Sequence, residues 1–252
     1  MKKLRLKKKV KKANNKTILI IIATIILLEG GNYLYQTTKK LTPIEKHDEE
    51  YYRSYDFGFV FEKSKTDYNK NGIDDYTDIL NGAKKVAKTN PKYVNKYYDG
   101  GYPPENEAIS TDLIVSSLKE AGYYIKDLIS KDIKQSIKNK ENVYKIEIRD
   151  DNIDFRRIDN QAIFFDRYFE DLPVEKIEVG TYQAGDIIVF DYNSHVAIVS
   201  DKYNKNGVPY IIHIYNDKQK QKEEDVLETI DMTVTGHYRV TYNEKLDKIL
   251  NS

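Results

Sequence analysis

The chain has 252 residues, with 41 Lys and Arg against 40 Asp and Glu and no cysteine. Its length suits one domain of ordinary size with appendages, and the missing cysteine removes disulfides, thiolate metal sites and thiol catalysis. Nine of the basic residues fall between Lys2 and Lys16, where there is no acid, so the remainder carries 32 basic against 40 acidic residues. A body this acidic, without a basic stripe, excludes nucleic acid as a natural partner.

The basic residues 1–16 precede an unbroken apolar run from Thr17 to Leu28, which stops at Glu29. That order is the n-region and h-region of an export signal. A full membrane span needs about 20 residues, and no small-x-small cleavage site follows. The segment therefore reads as a signal anchor over 17–35, single-pass, with the lysine block cytoplasmic and the body extracellular. A cleaved signal peptide, which would leave the protein secreted, is the competing reading, and a buried core helix is the third.

Residues 36–66 are polar and charged and read as a stalk. Within it Tyr55, Phe57, Phe59 and Phe61 alternate, which predicts a strand with four aromatics on one face that docks on the domain. From Asp67 to Asp78 the spacing is that of a calcium loop. Asp67, Asn69 and Asn71 stand at the first, third and fifth places, Gly72 allows the tight turn, Ile73 offers its carbonyl, and Asp75 and Asp78 follow at the ninth and twelfth. Asp78 in place of the usual bidentate Glu shortens the reach and predicts a weak, structural calcium site. A solvated Asx-rich turn is the plainer alternative.

Residues 79–242 read as the α+β domain, with 243–252 as a C-terminal tail. Ile79, Leu80, Ala83, Val86 and Ala87 fall at helical spacing, and Asn90-Pro91 ends that helix. A second helix runs through Leu113, Ile114, Ser117, Leu118 and Ala121, with Ser110 as its N-cap and Gly122 as the left-handed residue that closes it. More helix is expected over 126–140 and 160–172. Thereafter short apolar runs begin at Asp186, His195, Tyr210 and Val234, joined by the turn residues Asn193-Ser194 and Asn206-Gly207. They predict an antiparallel meander with helices packed on it.

Of the four histidines, His47 lies in the stalk and reads as solvated. His195, His213 and His237 each sit in or beside an apolar run, where a structural role is the ordinary one; their spacing is not that of a zinc site. The segments GIDDYTDILNGAKK, YYDGGYPPENEAISTDL, DNIDFRRIDN, AGDIIVF, HVAIVSD, EEDVL and GHYRV, in that order, resemble the bacterial family called domain of unknown function twelve-eighty-seven. That family is similar to the NlpC-type, papain-like cell-wall peptidases. The resemblance implies a papain-like, NlpC-like core. It further implies a nucleophile position at Ser110, supported by Asp112, a base at His195 and a third polar member at His213.

The family pattern has Cys-Thr-Asp where this chain has Ser110-Thr111-Asp112. A cysteine at a helix N-terminus beside an imidazolium has its pKa lowered toward neutrality. A serine hydroxyl ionises far above physiological pH and must lose its proton to a base during attack. Two readings follow. One is a membrane-anchored, extracellular, catalytically silent or weak relative of cell-wall peptidases and amidases, acting on or binding peptidoglycan peptides or another extracellular protein. The other is an active serine-dependent peptide or amide hydrolase using Ser110, His195 and His213.

Overall fold

The computed structural model describes residues 51–174 and 180–252. The basic flank and the apolar run of the expected anchor lie outside them. No helix among the described residues is long and apolar enough to cross a membrane.

Helix α1 (Asp75–Thr89) begins under Asp74, whose carboxylate accepts from Thr77 N–H, and ends on Asn90 in left-handed conformation before Pro91. Helix α2 (Ser110–Glu120) closes as expected: Gly122 has φ of 91°, and Tyr123 N–H returns to the Leu118 carbonyl. The two helices cross closely at Gly82, where a Cβ would stand 2.8 Å from Ser117 Cα. Helices α3 (Ile125–Lys138) and α4 (Ile158–Tyr168) follow. The fourth helix ends earlier than its apolar pattern suggests, because Phe169 is already extended and feeds a short edge strand.

The main sheet has six antiparallel strands: β3 (Glu170–Asp171), β4 (Ile187–Phe190), β5 (His195–Tyr203), β6 (Pro209–Ile212), β7 (Glu223–Glu224) and β8 (Val234–Arg239). Their order is β3-β8-β4-β5-β6-β7. Strands β4 to β6 follow the expected meander, and β7, which no apolar run marks, extends it at the edge. Strand β8 departs from it by crossing back to pair with β4, so β4 becomes, like β5, an interior strand apolar on both faces. A two-residue parallel pair, β1 (Lys92–Tyr93) with β2 (Glu107–Ala108), ties the Tyr-rich loop to the start of α2.

The pleat sorts these strands between two cores. Ile187, Val189, Val196, Ile198, Ile212 and Ile214 join the core under the helices, while Ile188, Phe190, Ala197, Val199 and Ile211 join a smaller one on the opposite face.

Two expectations are corrected. Residues 243–252 are not a tail: α5 (Glu244–Leu250), capped by Asn243, buries Leu246 and Ile249 in the main core. The aromatic alternation at 55–61 does not make a strand. Residues Ser54–Phe57 turn as a 3₁₀-helix and Gly58 takes φ of 69°, so Tyr55 is exposed while Phe57 and Phe61 pack on Tyr203. Docking itself is observed, through paired backbone bonds of 2.8 Å between Tyr52 and Tyr203.

Candidate functional site

Ser110 is the first residue of α2, and Ile109, not Ser110, is the N-cap. This one-residue correction changes what the serine can do, because a side chain at the first helical position does not satisfy the amides of its own turn as a cap does. The capping bond comes instead from Asp112, whose Oδ2 accepts from Ile109 N–H at 2.9 Å. The Ser110 hydroxyl is partly exposed and takes no hydrogen bond among the described residues.

Asp112 is hydrogen-bonded neither to Ser110, which the resemblance implies it supports, nor to the histidines. Arg156 binds it with two donors, Nε to Oδ1 at 2.7 Å and Nη2 to Oδ2 at 2.9 Å, while Nη1 donates to the Lys96 carbonyl. The guanidinium also lies over the Tyr98 ring at 4.9 Å. This buried pair fixes the start of α2 against the loops before and after it. Arg157 is exposed and stands 4.0 Å from Asp154.

His195 opens β5 and His213 follows the end of β6. Both are buried, and His195 Nε2 lies 2.9 Å from His213 Nδ1. They share the sheet face of Phe190, the register partner of His195, whose ring centroid is 5.8 Å away. Helix α2 packs on β5 from the other face. The structure thus joins the two histidines and leaves Ser110 without a hydrogen bond to either. Burial first, and the neighbouring His213 ring second, push the His195 pKa down to about 3.

Behind His213 stand two residues that motif reading passes over. His213 Nε2 is 3.1 Å from Glu224 Oε2 on β7, and Gln219 Nε2 donates to the same oxygen at 2.8 Å. The His213 bond is the main cause holding the Glu224 carboxyl below its ordinary range. Glu224 lies inside EEDVL, a segment that carries the resemblance but suggests no role by composition. Gln219 has no sequence signal at all, since only the turn at 215–219 brings it back.

His237, the third strand histidine, is structural. Its Nε2 is 2.8 Å from Asp186 Oδ2 and its Nδ1 is 3.0 Å from the Pro173 carbonyl, with the Tyr182 ring at 4.4 Å. Asp186 also binds Arg239 through two bonds of 2.7 Å.

In the Asp67 loop, Asp67 accepts from Asn71 and Gly72 N–H, Asn69 Oδ1 from Asn71 N–H, and Asn71 Oδ1 from Ile73 N–H. These bonds, two of them Asx turns, fold the loop inward, and the Asn69 and Asn71 amides both donate to Asp78 Oδ2, at 2.8 and 2.9 Å. Asp75 differs from its expected place. Its Oδ1 takes Tyr68 N–H at 2.8 Å and its Oδ2 takes Tyr123 Oη at 2.7 Å, so it anchors the loop to the core. No group of three or more His, Asp or Glu side chains converges as a metal cluster among the described residues.

Residues 80–240 match the family described as "Domain of unknown function (DUF1287)". The chain is 31% identical over 168 residues to the uncharacterized protein YijF of Escherichia coli (strain K12), covering 64% of this chain and 80% of that protein. Among solved structures it is similar to a Staphylococcus aureus protein described as similar to lipoprotein, NLP/P60 family. There the identity is 18% and the TM-score 0.36, over 75% of this chain and 47% of that one.

Proposed function

The chain belongs to the DUF1287 family, and on that premise we propose that it is a wall-facing relative of NlpC-type peptidases and amidases, weak or silent as it stands. The observation that carries this is the contrast at the site. The histidine relay is fully formed, while Ser110 is not hydrogen-bonded to it. A helix N-terminus stabilises an anion by about 0.3–2 kcal/mol, roughly one pKa unit, which helps a thiol and leaves a hydroxyl protonated. The site would then bind peptidoglycan peptides, or another extracellular protein, more readily than it cleaves. A carboxylate behind His213 favours the second reading, an active serine hydrolase, because serine attack needs an oriented base.

Release of fragments from peptidoglycan by the protein, Ser110→Ala and Ser110→Cys separates the two. The proposal expects the first two to be equally inert. It expects the cysteine form to alkylate faster than a model thiol at neutral pH. Hydrolysis by the unaltered protein that Ser110→Ala abolishes establishes the active reading instead. The outward orientation follows from the basic flank and apolar run, and protease added to intact protoplasts should digest the body. Complete protection there would overturn it.

The Asp67 loop we propose as a weak calcium site. The folded loop supports it, since the Asn69 and Asn71 side chains already meet at Asp78 Oδ2, and rotating the two Asn amides by half a turn, which gives up their own turns to Asn71 and Ile73 N–H, exchanges NH₂ for oxygen toward a cation. Asp75 would hold the loop without ligating. Calcium at about ten times its Kd should add ~1.4 kcal/mol, or about 3–5 °C in Tm, and Asp67→Asn with Asp78→Asn should remove the increase. An unchanged Tm at several times the millimolar range would leave the loop as a turn.

A further inference from the structure

The direction of the bonds in the histidine relay is settled from its far end. Gln219 Oε1 accepts from Tyr215 N–H at 2.9 Å, which fixes that amide, so its Nε2 donates to the His213 carbonyl and to Glu224. A carboxylate only accepts. His213 Nε2 therefore carries the hydrogen facing Glu224, and with one proton per ring its Nδ1 is a lone pair. His195 Nε2 must then donate to His213 Nδ1 across 2.9 Å. The one nitrogen left over, His195 Nδ1, is a lone pair with no hydrogen bond among the described residues.

We propose that Glu224, held by Gln219, is a positioning residue that sets the tautomer of both rings and presents His195 Nδ1 as the proton acceptor of the site. It touches neither the nucleophile position nor His195. The side chain is not needed to hold β7 to β6, because the ladder pairs Ile211 with Glu224 and Ile212 with Glu223, and His213 N–H donates to the Lys222 carbonyl at 2.8 Å. What the carboxylate adds is a fixed acceptor. Without it, His213 has no reason to keep its hydrogen on Nε2, and either ring can turn its tautomer over. The catalytic meaning of this device rests on the reading of His195 as base, while the tautomers themselves do not.

The test is the ¹⁵N spectrum of the full-length chain labelled at histidine, recorded at neutral pH. The unaltered protein should show His195 and His213 each protonated at Nε2 and bare at Nδ1. In Glu224→Ala both should become tautomer mixtures, whereas Glu224→Gln, whose carbonyl oxygen Gln219 holds in the same place, should restore the original pattern. Protonation of His195 at Nδ1 in the unaltered protein, or an unchanged pattern in Glu224→Ala, overturns the proposal. In a Ser110→Cys background, Glu224→Ala should lower the alkylation rate about tenfold, since a misplaced proton removes the base. A reactive thiol whose rate ignores Glu224 refutes the positioning role and keeps the site. Tautomers that follow Glu224 beside an inert thiol refute the site and keep the positioning role.

Discussion

Truncating Arg156 to Ala should destabilise the protein by about 3–5 kcal/mol, the range seen when one partner of a buried ion pair is removed. The cause is what stays behind. Asp112 is buried, and without the guanidinium its carboxylate keeps one backbone donor, Ile109 N–H, and loses two charged ones. The Lys96 carbonyl loses its donor as well. For a domain of this size each kcal/mol moves Tm by about 2–4 °C, so a fall near or above 10 °C is expected. Arg157→Ala, one residue along, should change stability by no more than about 0.5 kcal/mol, because its side chain is exposed and its partner lies at the limit of contact. The double variant Asp112→Ala with Arg156→Met should be less harmful than Arg156→Ala alone, since it strands no charge. Equal melting of the two single Arg variants would mean that the pair is hydrated in solution and does not anchor α2.

The arginine contrast also shows where reading the sequence stops. Asp150, Asp151 and Asp154 are the near neighbours of both arginines along the chain, and nothing in DNIDFRRIDN says that Arg156 turns 44 residues back to Asp112 while Arg157 turns to solvent. The helices around Ile79 and Leu113 and the strands at Ile187, His195 and Val234 are legible because period and end signals agree there: Asn90-Pro91 stops one helix and Gly122 another. Strand order is not legible, since pairing β8 with β4 depends on packing, not on local pattern. The short segments that carry the family resemblance prove to be partners in space. Asp186 of AGDIIVF holds His237 and Arg239 of GHYRV, and His195 of HVAIVSD leads through His213 to Glu224 of EEDVL. A list of motifs gives the members of these pairs without the pairing. The N-cap shows the opposite limit, where a rule alone selects serine over isoleucine at the helix start, and the aspartate three residues on does the capping instead.

Acid should weaken the fold through His195, and the sign follows from where its proton goes. In the native state burial first, then the neighbouring His213 ring, hold this imidazole down to about 3, against an ordinary value of 6.5. Between those two values the unfolded chain binds a proton at His195 that the folded chain refuses. Stability is therefore complete above about pH 6.5 and falls as pH drops toward 3, with a slope of ~1.4 kcal/mol per pH unit and a total of about 4–5 kcal/mol. Carboxylates add their own loss near the bottom of this range. Asp201 is one, its pKa lowered despite burial by Lys84 and Arg53, so the comparison must be with a variant. His195→Asn removes the titrating ring and keeps an N–H for His213 Nδ1. Urea midpoints at pH 7, 6, 5 and 4 should converge between the two proteins as pH falls, because only the histidine form pays for excluding the proton. Parallel curves would mean that the native ring takes a proton as readily as the unfolded chain. In that case His195 would be an imidazolium at mildly acidic pH.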